Sequence, residues 1–313
     1  MNGINILATG RGVPERVVTN DDLSKIVDTN DEWIVSRTGI HCRHFCDEGQ
    51  ANWMLAKEAA EKAIAKSGIN KEDIGLLIVA TFTPDYSTPS TACLIQRELG
   101  LPNTVIAFDL NAACSGFLYS LQVANSMLND ISKPYALIVG SEQISTRLDF
   151  EERTTCVLFG DGAGAAIIEN APDKLFCSVL GAEGNPDILG CNGLTSDYRH
   201  VYMDGKAVFR IAVQTICSVI KELFEKTGLG IDDIDYVICH QANERIINKV
   251  IRSLGAPEEK FFMNIQNYGN TSAASIGIAL DEMMEQGLLK PGMKILCVGF
   301  GAGLTWGGNI IEL

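Results

Sequence analysis

NAACSGF, residues 111–117, decides how the rest of the chain is read. It sets Cys114 among small residues, with Ser115 and Gly116 just after it. VIAFDL (residues 105–110) precedes it as an apolar, strand-like run. FLYSLQVANSML follows, with Phe117, Leu118, Leu121, Val123, Ala124 and Met127 spaced for a mostly buried helix. Cys114 therefore falls at a strand-to-helix turn, close to the helix N-terminus. Free backbone N–H groups and the helix dipole there favour a negative sulfur, the nucleophilic form of a thiol. The competing reading is an inert buried cysteine, since free Cys is among the most buried residue types. On this stretch alone both stand.

The chain has 313 residues, 46% of them hydrophobic and 20% charged, enough for one large core or two similar ones. Its formal net charge of -14 argues against a nucleic-acid binder or an anionic-membrane protein. An acidic partner protein would need a local basic patch. No apolar run reaches the length of a membrane span, and MNGINILATGRG lacks a charged leader and cleavage site, so no signal peptide is expected. Ten cysteines are scattered from Cys42 to Cys297 without framework spacing, which predicts reduced thiols and a cytoplasmic home.

Working outward, the N-terminal part reads as a strand (Ile4 to Ala8) and a short helix capped by NDD at 20–22. DTNDEWIVSRTGI follows, with Trp33 and Arg37 four apart on one helical face. A further helix in WMLAKEAAEKAIAKSG ends at Gly68. The chain then repeats itself. Asp73-Ile74 and Asp233-Ile234 each precede a strand, at an offset of 233 − 73 = 160; Val139-Gly140 and Val298-Gly299 recur at 298 − 139 = 159. Each copy continues through a glycine-rich run into an IIE strand, at Glu169 and Glu312. Two related α/β halves are expected, residues 1–171 and 172–313, with residues 172–204 read as a loop insertion between them. The same offset carries the Cys114 turn onto NTSAAS (residues 270–275), and the repeat strand before it ends at His240.

Cys114, His240 and Asn270 are thus all placed at strand ends or turns of the two halves, where a two-fold arrangement brings such ends together. Cys, His and Asn make a thiol catalyst: a nucleophile and two hydrogen-bond donors. His240 alone among four histidines follows a strongly apolar strand, YVIC, although a core histidine satisfied by backbone would look the same. HCRHFC (residues 41–46) has the residue types of a metal site, but its spacing is too cramped, so an ordinary loop is expected and no metal. FGDGAGAA (residues 159–166) contains G-x-G-x-G, yet a strand follows it rather than a helix, which reads as close backbone packing and not as a dinucleotide site. GFGAGLTWGG (residues 299–308) offers backbone N–H groups for an oxyanion, or again close strand packing. In ANERIINKVIRSLG the apolar face of Ile246, Ile247, Val250, Ile251 and Leu254 is opposed by Arg245, Lys249 and Arg252. This basic stripe is either a solvated helix face or a dock for an acidic partner.

Together DTNDEWIVSRTGI, AACSGF, FGDGAGAA, HQAN-x-R, YGNTSAAS and GFGAGLTWG, in this order from the N-terminus to Leu313, resemble the β-ketoacyl-acyl-carrier-protein (ACP) synthase III family. The resemblance implies a thiolase-like fold of two pseudo-duplicated halves in five α/β/α/β/α layers, and a homodimer. It implies that Cys114 takes an acyl group from acyl-CoA and that His240 and Asn270 stabilise the enolate formed as malonyl-ACP loses CO2. Condensation of the two then starts fatty-acid synthesis. The oxyanion would be held by the N–H groups of Cys114 and Ala302. Trp33, Arg37 and Arg153 would hold the CoA nucleotide. Gly205, Phe209, Ala242 and Asn243 would line the pantetheine tunnel. Phe300 would lie near the acyl end, with Thr88 reaching the pocket from across the dimer. Arg245, Lys249 and Arg252 would dock ACP. No metal or redox cofactor is implied.

Three positions depart from the family's usual residues. Gly301-Ala302-Gly303 stands where three glycines are common, Thr88 where many members carry Phe, and Lys206 where Asn is frequent. The smaller Thr88 leaves room for longer or branched primers. The alternatives are an acyltransferase of secondary metabolism using the same Cys-His-Asn site, and a non-enzymatic ACP-binding module. Type III polyketide synthases share the three residues but have longer chains, and papain-like hydrolases share them without this repeat.

Overall fold

The computed structural model describes residues 3–193 and 196–313. Its core is two five-stranded mixed sheets with one topology. The first runs Ile4–Gly12, Gly162–Asn170, Tyr135–Glu142, Ile74–Ala80, Ile106–Leu110; the second runs Phe176–Ala182, Thr305–Glu312, Lys294–Gly301, Tyr236–Cys239, Phe261–Phe262. In each, the three strands at one side are parallel and the other two join antiparallel. The strands Tyr135–Glu142 and Lys294–Gly301 correspond residue for residue, since 294 − 135 = 159 and 301 − 142 = 159.

Five layers result. Helices Asn52–Ser67 and Thr91–Leu99 cover the outer face of the first sheet, and Gly205–Thr227 and Glu244–Leu254 that of the second. Helices Gly116–Met127 and Ser275–Glu285 lie between the sheets. The sequence dictates this through strands that are apolar on both faces. All seven residues of Ile74–Ala80 are buried, and they alternate: Leu76 and Ile78 join the central cluster, Leu77 and Val79 the outer one. In the second sheet Ile295 and Cys297 face the centre, whereas Leu296 and Val298 face outward. Each such side chain stabilises the fold by about 1.5–3 kcal/mol. The central helices approach closely because glycine permits it: a Cβ on Gly277 would come within 2.9 Å of the Gly164 backbone. That is the role of the FGDGAGAA glycines, whose strand starts at Gly162.

Helix ends follow local chemistry. Gly68 closes its helix at φ +69°, and the Asp204 carboxylate caps the long helix at Lys206 and Ala207 N–H. The NDD cap is shifted by one residue: Thr19 is the cap, in a reciprocal box with Asp22, while Asn20 is buried and bonds Ile40 O. The insertion is also shorter than 172–204. Phe176–Ala182 is the edge strand of the second sheet, the counterpart of Ile4–Gly12 in the first. Its Ser, Gly and Cys residues hide the period, because an edge strand half covered on each face needs few large apolar side chains. The remainder carries a small hairpin, Leu189–Cys191 with Val201–Met203, that roofs the site. No helix among the described residues is long and apolar enough to cross a membrane.

Candidate active site

The two halves meet at a pair of matched turns. Ala113–Ser115 forms a single 3-10 turn leading into Gly116–Met127, and Ser272–Ala274 forms its twin leading into Ser275–Glu285. Each turn opens on a non-glycine residue in the left-handed region, Ala113 at φ +45° and Ser272 at φ +50°. Such strain persists only where the surroundings hold it, and it is frequent at functional sites. The same device holds both: Asn111 Oδ1 accepts from Ala113 N at 3.1 Å, and Asn270 Oδ1 accepts from Ser272 N at 2.9 Å. Asn270 thus spends its carbonyl oxygen on its own turn. Its amide N–H2 stays available to the cavity it lines.

A cavity of about 1250 Å³ runs down to these turns, with Cys114, His240, Asn270 and Ser272 among its lining residues. Cys114 is partly exposed to it. Burial pushes the Cys114 thiol up to about 12; a hydrogen bond with the Ser272 side chain opposes this, and the nearby Glu142 charge adds to it. Burial thus works against the negative sulfur that the helix N-terminus favours, and the Ser272 contact works for it.

His240 is buried, and burial alone lowers its imidazole to about 3. Its Nδ1 lies 2.7 Å from Ser275 Oγ, which itself accepts weakly from Gln241 N at 3.4 Å. We assign the Ser275 hydroxyl as the donor to Nδ1 and the ring proton to Nε2, which faces the cavity side chains. His240 is therefore a neutral donor, like Asn270. The Phe300 ring meets it edge-on at 6.0 Å, and Gly299 lets the two strands close: a Cβ there would lie 2.9 Å from His240 Cβ. Gly301 acts likewise on Cys114, where a Cβ would come 2.7 Å from its backbone N. Ala302 lines the cavity and turns its carbonyl to Thr305 Oγ1, 3.1 Å away.

Towards the mouth, Trp33, Arg37, Gly205, Phe209, Ala242 and Asn243 all line the cavity. Arg153 does not line it but lies with its guanidinium 5.2 Å from the Trp33 ring centre. Asn243 Nδ2 donates to Arg37 O at 3.0 Å, tying the Asp31–Thr38 helix to the Glu244–Leu254 helix. Arg245 sits over Phe209 at 5.8 Å, and Arg245, Lys249 and Arg252 are all exposed while Ile246, Ile247, Val250 and Ile251 are buried. Lys206 is exposed at the rim. Thr88 lies on an exposed loop and does not line the cavity of its own chain, whereas Phe300 does.

Sequence reasoning passed over Glu142, Ser272 and Ser275. The repeat contained a signal for the serines, since the 159-residue offset maps Ser272 and Ser275 onto Ala113 and Gly116 beside the nucleophile. Glu142 carried none: it maps onto Gly301, and an acidic residue ending a buried strand has no pattern of its own.

Paired strained turns, a thiol and two neutral donors at the end of a long cavity define a thiolase-like, acyl-transferring condensing enzyme. Comparison with known proteins agrees. Residues 108–184 match the model of 3-oxoacyl-[ACP] synthase III, and residues 224–313 match that of its C-terminal part. The β-ketoacyl-[ACP] synthase III of Clostridium acetobutylicum is 47% identical, covering 100% of this chain and 99% of that protein. The solved structure of 3-oxoacyl-[ACP] synthase III from Aquifex aeolicus superposes with a TM-score of 0.95 at 42% identity, over 99% of this chain and 100% of that one. The priming β-ketosynthase of the R1128 polyketide pathway superposes at 0.94 with 32% identity, over 99% and 96%. The chain belongs to the β-ketoacyl-ACP synthase III family.

Proposed function

We propose that this chain condenses an acyl-CoA primer with malonyl-ACP to give β-ketoacyl-ACP, initiating fatty-acid synthesis through an acyl group carried on Cys114. The observation that carries this reading is the convergence of Cys114, His240 and Asn270 at the end of one cavity. Cys114 attacks the primer thioester, and CoA leaves. The tetrahedral oxyanion is held by the N–H groups of Cys114 and Ala302. Malonyl-ACP then enters by the same cavity. The His240 Nε2–H and the Asn270 amide donate to its thioester oxygen, stabilising the enolate that remains when CO2 departs. A neutral imidazole suits this task, because its proton stays in place. The enolate attacks the acyl-Cys carbonyl. Loss of CO2 drives bond formation, so the scheme needs no metal or redox cofactor.

Trp33, Arg37 and Arg153 are placed to hold the nucleotide end of CoA, with Gly205, Phe209, Ala242 and Asn243 along the pantetheine arm. Phe300 bounds the acyl end. The exposed stripe Arg245, Lys249 and Arg252 fits an acidic carrier protein, on a molecule whose own charge is -14. A homodimer is supported by the first sheet, whose edge strand Ile106–Leu110 is unpaired, with Ile106 40% exposed. Asp109 on that edge accepts from Thr91 and Ala92 N–H, anchoring the helix behind the Thr88 loop. On this reading Thr88 reaches the pocket of the second copy. All ten cysteines are unpaired, which suits a reducing cytoplasm.

The assay is formation of β-ketoacyl-ACP from acyl-CoA and malonyl-ACP; absence of product with every primer contradicts the reading. In the same assay Arg245→Glu should raise the KM for malonyl-ACP about tenfold, and the gap between variant and wild type should narrow as salt rises. A KM indifferent to both removes the stripe from carrier docking.

A further inference from the structure

Behind the catalytic turn lies a carboxylate that this scheme does not use. Glu142 ends the strand Tyr135–Glu142 and is fully buried. No cation is recorded against it among the described residues; a cage of donors surrounds it instead. Its Oε2 accepts from Phe82 N (3.2 Å), Thr83 N (3.2 Å), Thr81 Oγ1 (3.2 Å) and Thr83 Oγ1 (2.5 Å). The threonine hydroxyls are committed as donors. Thr81 Oγ1 already accepts from Asn52 Nδ2 and Thr83 N, and Thr83 Oγ1 from Gln143 N. Such a cage suits an ionised carboxylate. Oε1 accepts from Phe82 N at 3.3 Å and from Ser272 Oγ at 3.2 Å, and the Ser272 side chain is in turn hydrogen-bonded with Cys114. One hydroxyl, held in place by the strained turn, therefore bridges the nucleophile and a buried carboxylate.

We propose that Glu142 stores the proton of Cys114 while the acyl group is attached, exchanging it through the Ser272 hydroxyl. On attack, the Cys114 S–H bond breaks and its proton passes to Ser272 Oγ. The Ser272 hydroxyl proton passes to Glu142 Oε1, and the sulfur electron pair forms the new C–S bond. The pair of the old thioester bond leaves with the CoA sulfur, which takes a proton from water. When the enolate displaces Cys114, the sulfur recovers its pair and the proton returns from Glu142 through Ser272. Glu142 is a positioning residue here, acting on substrate only through Cys114.

Two features favour this route over a proton on His240. The imidazole is buried with Nδ1 engaged by Ser275 and resists protonation. Burial outweighs the donor cage and raises the Glu142 carboxyl to about 8, so it takes a proton more readily than the buried imidazole. Cys114 and Cys191 are the other titratable groups that feel it.

The inference rests on Cys114 as nucleophile, and the test separates the two. Cys114 is the only cysteine between Arg97 and Arg147, so its alkylation by iodoacetamide can be followed on its own peptide as a function of pH. In the wild type the rate should rise through about pH 8 as Glu142 ionises. In Ser272→Ala it should be roughly tenfold or more lower at neutral pH and rise only at higher pH. Alanine suits the position, because Ala113 holds the same conformation in the twin turn. Glu142→Gln should behave alike where it folds, and Ser272→Ala decides where it does not. The loss in Cys114 alkylation and acylation by Ser272→Ala should clearly exceed its loss in malonyl-ACP decarboxylation, which uses the donors His240 and Asn270. A wild-type rate and profile in Ser272→Ala, or an equal loss of decarboxylation, overturns the relay. A wild-type Cys114 that resists alkylation at every pH overturns the nucleophile itself.

Discussion

Cys114→Ala should lose β-ketoacyl-ACP formation by at least roughly 10⁴-fold, the scale seen when a covalent nucleophile is removed. The loss is chemical and not structural. Cys114 lies in the short turn Ala113–Ser115, with alanine at Ala112 and Ala113 and at the matching position Ala273 in the twin turn. Replacing it deletes one sulfur at a cavity wall and leaves Asn111, Ser115 and Gly116 to hold the bend. Thermal unfolding should therefore move little while the acyl intermediate disappears. Condensation at the wild-type rate would remove Cys114 from the reaction, and a collapsed unfolding midpoint would make it a packing residue.

The second large effect separates the two chemical steps. His240→Ala and Asn270→Ala should each lower malonyl-ACP decarboxylation by roughly 10²–10³-fold, as expected when one donor to a developing oxyanion is lost. Acylation of Cys114 by acyl-CoA should survive in His240→Ala, because a buried imidazole held neutral is not the group that accepts the thiol proton. Asn270 has a second duty, since its Oδ1 holds Ser272 N–H at φ +50°. Asn270→Ala should consequently slow acylation as well. Radiolabelled CO2 release and intact-mass acylation read the two steps independently. An acylation defect in His240→Ala as large as its decarboxylation defect would return the proton-acceptor role to histidine.

The repeat explains how much of this was legible in the chain. Apolar words such as IGLLIVA and KILCVGFG announce buried parallel strands, because such strands face helices on both sides and cannot alternate with polar residues. Their common offset alone places the Cys114 turn opposite the Asn270 turn. The shared sheet order and the matched left-handed residues Ala113 and Ser272 express one duplicated unit. Other features left no sequence trace. Phe176–Ala182 escaped as a strand because an edge needs little apolar patterning. The burial around Cys114 left no trace in the local sequence, because desolvation depends on what the other half places over it. Glu142 was invisible for the same reason: its cage is built from Thr81, Phe82 and Thr83 of one strand end and Ser272, 130 residues away.

Intact-protein mass spectra after mixing the chain with acyl-CoAs from acetyl to long-chain test the central claim most directly. A mass gain equal to the acyl group, present in the wild type and absent from Cys114→Ala, is the predicted result, with its chain-length dependence set by the pocket bounded by Phe300. The adduct should vanish on adding malonyl-ACP as β-ketoacyl-ACP appears. An unmodified wild-type mass with every acyl-CoA, or an adduct that persists in Cys114→Ala, would contradict the account.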